Sequence, residues 1–192
     1  MRRSKRADGP VDARLSVVSH CNEAASRLGV KAGQRGEEAA GLIIKGPAGR
    51  PCDLTGVIDE TVHEMLAAPR GKVYAVWSFS RVDREHPNDV FCVASRVGKV
   101  MAQYALPVKP RGLIAKDAGG YLDDSRIGGL ALVDELFGIP AATVSADSAR
   151  IGDPLSTYKD GVISGVNDTA KSLGVDVGIR ASEAARVVRD RP

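Results

Sequence analysis

The sequence is poor in aromatic residues, in cysteine and in long apolar runs. Aromatics make up 4% of the 192 residues, too few for an aromatic cage or for a platform on which single-stranded nucleic acid could stack. The three cysteines are far apart and form no C-x-x-C pair, which favours reduced thiols over a disulfide framework. No apolar run reaches the roughly 18 residues that a membrane-spanning helix needs. These absences predict a cytoplasmic protein with no membrane partner.

The composition is otherwise that of an ordinary globular chain. Hydrophobic residues make up 43% of the sequence, and the length is enough to bury a core without disulfides. We expect a basic flexible tail over residues 1–13 and a single α/β domain over residues 14–192. The net charge of +3 is uneven, because the segment 117–160 is acidic and the two ends are basic. Basic ends can attract nucleic acid, but no recognition motif accompanies them and the acidic loops would repel phosphates, so nucleic acid is not an expected partner.

Strand-like and helix-like stretches alternate through most of the chain. Residues 72–79, 112–116 and 141–145 are β-branched or apolar runs that predict buried strands. Helical spacing predicts helices within 13–30, 53–69, 89–106, 123–138 and 161–173, while 36–45 fits either a helix or a strand. This alternation is typical of a three-layer α/β fold with a mainly parallel sheet and helices on both faces, Rossmann-like but without the G-x-G-x-x-G dinucleotide fingerprint. We identify no internal repeat in the pattern.

Polar side chains follow each predicted strand. The stretches are "WSFSRVD", "AKDAGGYLDD" and "VSADSARIGD". In open α/β sheets, ligands bind outside the carboxyl ends of the strands. We therefore expect these three stretches to converge on one binding site.

The middle stretch has the residues for a metal or a close ligand contact. Gly119 and Gly120 let a ligand approach the main chain. Asp117, together with Asp123 or Asp124, offers the oxygen ligands that Mg²⁺ prefers. The alternative is that Asp123 or Asp124 caps the helix that follows.

The third stretch has the residues for an anion site. Arg150 can clamp a carboxylate or phosphate, and Ser145 and Ser148 can donate hydrogen bonds to it. Asp153 or Asp117 can serve as acid or base. Alternatively, Arg150 forms a structural salt bridge with an aspartate such as Asp153.

Other hydroxyl side chains near the strand ends could bind a ligand, cap a helix or take part in catalysis. Ser78 and Ser80 alternate after the first predicted strand, so both point to the same side and could join the site. Thr157 and Asp160 fit a capping box that begins a helix at 161–173. A Ser–His–Asp triad around His86 is not favoured, because no G-x-S-x-G elbow is present.

Small residues in the predicted helix 161–173 indicate self-assembly. Gly161 and Gly165 fall on one face of that helix, and small residues four apart let a second helix pack closely. Two-fold dimers are the commonest oligomers. We therefore expect a homo-oligomer built on dimers, with this helix at the interface.

The C-terminal part of the chain resembles a set of small bacterial proteins of unknown function. Their pattern has an N/K-D-A-G turn, a G-I-x-A-A-T-V-S strand, then S-A-R-I-G-D and G-V-I-S-x-V-N. It matches this chain at 117–119, 138–145, 148–153 and 161–167. The resemblance implies no particular activity. The relatives have a G-S-H-G-G loop after the first strand where this chain has "WSFSR", so a function that depended on that loop would be changed or lost here.

Taken together, the patterns predict a cytoplasmic enzyme that acts on a small polar anionic substrate. Hydrolysis or lyase-type proton transfer suits the available carboxylates and hydroxyls. The alternative is a non-catalytic subunit that binds a small ligand or takes part in assembly.

Overall fold

The computed structural model describes residues 16–53, 55–57, 59–83, 86–105, 107–118 and 127–192. The chain divides into two compact units, Met1–Leu54 and Thr55–Pro192, and each is described by itself. The tail predicted over residues 1–13 lies outside the described residues.

The second unit is built on a six-stranded sheet whose strands lie side by side in chain order. The four inner strands are parallel to one another, and the first and last strands are antiparallel at the edges. The α/β class and the mainly parallel sheet are therefore confirmed. The strands are β1 His63–Ala68, β2 Gly71–Val76, β3 Val90–Arg96, β4 Gly112–Lys116, β5 Ala141–Val144 and β6 Ile163–Val166.

The helices are short and occupy both units. A 3-10 turn, Phe79–Arg81, follows β2. The helices of the described residues are α1 Glu23–Arg27, α2 Gly36–Lys45, α3 Lys99–Ala105, α4 Gly129–Phe137, α5 Pro154–Lys159, α6 Asp168–Ser172 and α7 Ala181–Asp190.

Alternate residues of the inner strands belong to two different apolar clusters. Val73, Cys92 and Ile114 belong to a cluster with Tyr158 of α5 and Val188 of α7. Their chain neighbours belong to a second cluster with α3 and α4. Because successive side chains of a strand point to opposite faces, the inner strands are buried on both sides.

Two helix predictions are wrong, and two-sided burial explains the one at β3. Residues 89–106 begin with β3, and α3 starts only at Lys99; residues 53–69 end in β1. All five residues from Val90 to Ala94 are buried. A strand buried on both faces has no alternation for a sequence pattern to detect, so its valines can equally fit helical spacing.

The prediction of one helix over 161–173 is also wrong. Residues Ile163–Val166 form β6 beside β5, and the helix α6 begins only at Asp168. The glycines of the expected stripe contact the chain itself: a Cβ atom at Gly161 would lie 2.3 Å from the Thr157 carbonyl oxygen, and one at Gly165 would lie 2.8 Å from Thr143 Oγ1. The homo-oligomer remains a prediction, but it loses the helix that was to form its interface.

One asparagine fastens β6 and α6 to the sheet. Asn167 Oδ1 accepts hydrogen bonds from the Ala141 and Ala170 amides, at 3.0 and 2.9 Å. Its Nδ2 donates to the Ile139 carbonyl oxygen at 2.8 Å. Asn167 is 6% exposed. It therefore caps a helix and provides hydrogen-bond partners for backbone groups at the start of β5 in a buried position.

The chain contains an internal repeat that the sequence pattern had not revealed. With an offset of 145, 12 of the 28 residues from 17 to 44 are identical to those from 162 to 189. We call residues 16–45 the N-terminal repeat and residues 161–190 the C-terminal repeat. The gaps between the identities, and a first strand too short to show alternation, hid the relation.

The two repeats share their backbone conformation. Gly29 and Gly174 have φ angles of 90° and 88°, and Gly33 and Gly178 have 85° and 97°. An isolated antiparallel bridge joins Val17 to Arg35 in one repeat and Val162 to Arg180 in the other. Asn22 caps α1 as Asn167 caps α6. The helix predicted over 13–30 is therefore wrong in its first half, because residues 16–18 bond to residues 33–36 instead.

The repeat supplies a matched pair of asparagine variants. We expect Asn167→Ala to lower the free energy of unfolding by about 2–4 kcal/mol, since it removes a cap and leaves buried backbone groups of β5 without partners. Asn22→Ala removes an exposed cap alone and should cost about 1 kcal/mol or less. Urea unfolding of both variants measures the difference. Equal effects would show that Asn167 is no more than a cap.

Cysteine reactivity tests the burial of β3. Cys21 and Cys52 are exposed and Cys92 is buried. Burial raises the pKa of the Cys92 thiol to about 12, and only the thiolate is reactive. Ellman's reagent at pH 8 should titrate two thiols quickly in the native chain and the third only after unfolding. The same two fast thiols in Cys92→Ala would confirm the assignment, whereas three fast thiols in the native chain would contradict the position of β3.

Candidate functional site

The carboxyl ends of β2, β3, β4 and β5 lie at one edge of the sheet because these strands are parallel. They end at Val76, Arg96, Lys116 and Val144. The predicted strand ends thus share an edge. However, β3 lies between β2 and β4, so the stretch "WSFSRVD" is one strand further from the other two than the sequence indicated.

The serines of the loop 145–153 hold the loop together. Ser148 Oγ donates to the Ser145 carbonyl oxygen and accepts from the Val162 amide, both at 2.9 Å. Ser145 Oγ accepts from the Asp147 amide at 3.2 Å. These hydroxyls, predicted to bind a ligand, use hydrogen bonds to fix the loop and to join it to the segment before β6.

Arg150 forms the salt bridge that was the alternative to ligand binding. Its guanidinium lies 3.0 Å from the Asp153 carboxylate. The same aspartate caps α5, since its Oδ1 accepts from the Ser156 amide at 2.9 Å. The Arg150 side chain is nevertheless 81% exposed. A guanidinium so exposed gains little from one carboxylate and can still meet a ligand.

The capping box predicted at Thr157 and Asp160 is wrong, because the helix here begins earlier. Asp153 is the cap, and Thr157 lies inside α5 with its Oγ1 donating to the Asp153 carbonyl oxygen at 2.9 Å. Asp160 instead accepts from Ser156 Oγ at 2.8 Å. Pro154 at the first helical position fits this earlier start.

A pocket of about 520 Å³ opens over this loop. It is lined by Ala118, residues 146–151, Ser156 and Asp160. The cationic group in its lining is Arg150, and the carboxylates are Asp147 and Asp160, both on exposed residues. The lining thus combines one guanidinium with two carboxylates, which suits a small molecule that carries both an anionic group and hydrogen-bond donors.

The sequence analysis missed Lys116, a buried lysine beneath the loop. It ends β4 and is fully buried. Its Nζ donates to the Ser145 carbonyl oxygen at 3.2 Å and to that of Ala149. Burial lowers the pKa of Lys116, and the negative charge of Asp117 partly opposes that change. A lysine that ends an apolar strand, as in "GLIAKD", is the signal that could have found it.

Asp117 supports the same loop from the other side. Its Oδ1 accepts from the Ala146 amide at 2.9 Å. Lys116 and Asp117, neighbours in the chain, therefore bond to the backbone of the loop 145–149. The loop is fixed to β4 by two charged side chains.

Two predicted site residues that the structure describes, Ser78 and Ser80, do not line the pocket. Ser78 caps the 3-10 turn after β2 by accepting from the Ser80 amide at 3.4 Å. Gly119, Gly120, Asp123 and Asp124 lie outside the described residues. Within the described ranges no three metal-ligating side chains form a cluster. The Mg²⁺ site, which needs Asp123 or Asp124, stays a prediction.

Two further polar atoms at this edge were not anticipated. Trp77 follows β2 directly and Ser95 lies near the end of β3. In the part of the chain that the structure describes, Trp77 Nε1 and Ser95 Oγ are buried without a hydrogen-bond partner. Buried polar atoms are partnered in most folded proteins, so these two atoms are exceptions at this edge.

Comparison with known proteins gives no relative: no family model, curated protein or solved structure matches the chain. Among the residues described, no helix has the length and apolar character needed to cross a membrane. The fold and the site define the class, an α/β protein with a pocket at the carboxyl ends of its parallel strands.

The lowered pKa of Lys116 predicts a pH dependence of stability. In the folded chain the lysine loses its proton at a lower pH than in the unfolded chain, where its ordinary value is 10.5. Between the two values the unfolded state binds more protons, so the contribution of Lys116 to stability rises with pH. The free energy of unfolding of the native chain, relative to Lys116→Met, should increase as the pH is raised from 8 to 10. A difference that stays flat or falls would contradict the lowered pKa.

Proposed function

We propose that the protein binds a small polar anion at the pocket over the loop 145–153, and that it does so in the cytoplasm. The observation that carries the proposal is the position of Arg150, whose highly exposed guanidinium lines the pocket. Guanidinium groups pair with carboxylate and phosphate groups through two parallel hydrogen bonds. Asp147 and Asp160 at the same pocket favour a ligand that also carries hydroxyl or amino donors.

Binding without catalysis is the better supported form of this function. The hydrolase or lyase reaction expected from the sequence needs a carboxylate free to act as acid or base. Asp153 is engaged by a guanidinium and a helix amide, and Asp117 holds the loop through Ala146. Both carboxylates therefore make structural contacts. The enzyme remains the second candidate, with Asp117 or Asp153 as its acid or base.

The resemblance to small bacterial proteins supports the same location. Two of its matching segments, 138–145 and 148–153, comprise β5 and most of the pocket loop. The two apolar clusters on alternate residues of the inner strands support the three-layer, Rossmann-like arrangement as part of this proposal. A ligand site at the carboxyl edge is usual in such folds.

Arg150→Ala tests the anion clamp. Isothermal titration with inorganic phosphate and with L-malate as probes should show affinity at least about tenfold weaker in the variant, the loss expected for one charge-assisted pair. Arg27→Ala is the matched control, because Arg27 is also exposed and also pairs with a carboxylate of its own helix region, Glu23. Equal binding by Arg150→Ala and the native chain would refute the clamp.

Asp153→Asn separates the binding function from the catalytic one. Asparagine still caps α5 but no longer competes for the guanidinium, so we expect anion binding several-fold tighter than in the native chain. Mass spectrometry of metabolites retained by the purified protein identifies the candidate substrate. Turnover of that metabolite by the native chain, abolished in Asp153→Asn, would favour the enzyme with Asp153 as its acid or base.

A further inference from the structure

We propose that the N-terminal repeat is a docking module that covers the open edge of a sheet in a partner protein, a sheet built like the one in this chain. This role is independent of the anion pocket, which lies in the second unit. The argument rests on the C-terminal repeat, which is the same structural element seen in its docked state.

The C-terminal repeat docks through a strand, an asparagine and a helix. Its strand β6 pairs with β5, with Val166 opposite Ala142. Asn167 bonds to the backbone at the start of β5. Its helix α7 lies across β2, β3 and β4, and Val188 lies so close to Gly112 that a Cβ atom there would be 2.2 Å from Val188 Cγ1.

The N-terminal repeat retains the same docking surface but leaves it exposed. Asn22 occupies the position that corresponds to Asn167, and it is exposed, whereas Asn167 is buried. Ile43 occupies the position that corresponds to Val188, and the two residues are 51% and 2% exposed. Similarly, Ala40 is exposed where its counterpart is fully buried. Asn22 also caps α1, so the argument rests mainly on Ile43: a half-exposed isoleucine in this register position is what a docking surface needs, and solvent contact alone does not call for it.

Some positions that face solvent in the C-terminal repeat have diverged. Exposed Asp176 corresponds to Lys31, and exposed Arg186 corresponds to Gly41. Within the repeat, the small interior is kept: Val30 and Val175 are 3% and 0% exposed. The retained residues therefore include those of the interior and part of the docking surface, besides the exposed Arg180 and Glu183.

Two substitutions argue that the partner is a related sheet and not a second copy of this one. His20 stands where the C-terminal repeat has Gly165, and a Cβ atom at Gly165 would lie 2.8 Å from Thr143 Oγ1. Ser16 stands for Gly161, whose Cβ position is 2.3 Å from a carbonyl oxygen. The edge of β5 is also already covered by the C-terminal repeat of the same chain. Because that repeat is tethered to the sheet, its high effective concentration favours it over a repeat from a second copy. The partner's sheet therefore has an uncovered edge and a small residue at the position of Thr143.

Repeat grafts in the full-length chain test this docking without the partner. In the first graft, residues 17–45 replace residues 162–190, except that glycine is kept at position 165. We expect a cooperative unfolding transition and hydrogen-exchange protection of the Ala141 and Ser145 amides within about a hundredfold of the native chain. These amides report docking because they bond to Asn167 and Val162 of the C-terminal repeat.

Four companion variants make the result specific. The first graft with Asn167→Ala should lose protection at Ala141, because the retained asparagine is then absent. The first graft with Gly165→His should lose protection at both amides, and adding Thr143→Ala to it should restore protection by removing the crowding group. A shuffled 17–45 sequence in the same place should give no protection.

A binding measurement keeps the test decisive if a graft does not fold. The chain carrying Ser16→Gly is mixed with a full-length probe chain that carries Asn167→Ala, Val188→Asp and Thr143→Ala, so that the sheet edge of the probe is open and both clashes, at the positions of Gly161 and Gly165, are removed. Sedimentation should show a complex that is lost when the Ser16→Gly chain also carries Asn22→Ala and Ile43→Asp. Protection no greater in the first graft than in the shuffled graft, together with no complex here, would overturn the proposal.

Discussion

The side chain of Asn167 is the interaction on which the closed edge of the sheet depends. Its amide group bonds to Ala141 and Ile139 at the start of β5 and to Ala170 in α6. A buried amide group must be fully partnered to stabilise a fold, and here the named partners come from two separate segments. The bonds fix β6 against β5 and set where α6 begins. They also hold the chain that leads to α7, whose small residues cover the sheet.

The loop at the carboxyl edge follows from a similar constraint. The hydroxyls of Ser145 and Ser148 bond to backbone groups, and Lys116 and Asp117 hold the loop from below. A loop so occupied with its own structure has few groups left for a ligand. Arg150 is the cation that extends from it into solvent. This division is the reason for proposing binding ahead of a reaction.

The sequence predicted the parts of the fold that have a distinct local signal. β2, β4 and β5 are apolar runs bounded by glycine, proline or charged residues, and the polar loops after them were correctly placed at one edge. β3 and β6 were predicted as helix. The residues of β3 are buried on both faces, and β6 is four residues long, so neither shows the alternation that identifies a strand. Lys116 was missed because a lysine in a strand is usually exposed.

The sequence by itself determined the α/β class and the loop residues at the strand ends, whereas the duplicated element was recognised only with the shared backbone conformation of the two repeats. Only the tertiary structure decided what each polar group does. Asp153 is a cap and not a free base because α5 begins beside it, and Asn167 is buried because β5 lies against it. Hydroxyl, amide and carboxylate groups bond equally well to a ligand or to the backbone. Their role depends on which backbone groups the fold brings within about 3 Å, and local sequence does not encode that distance.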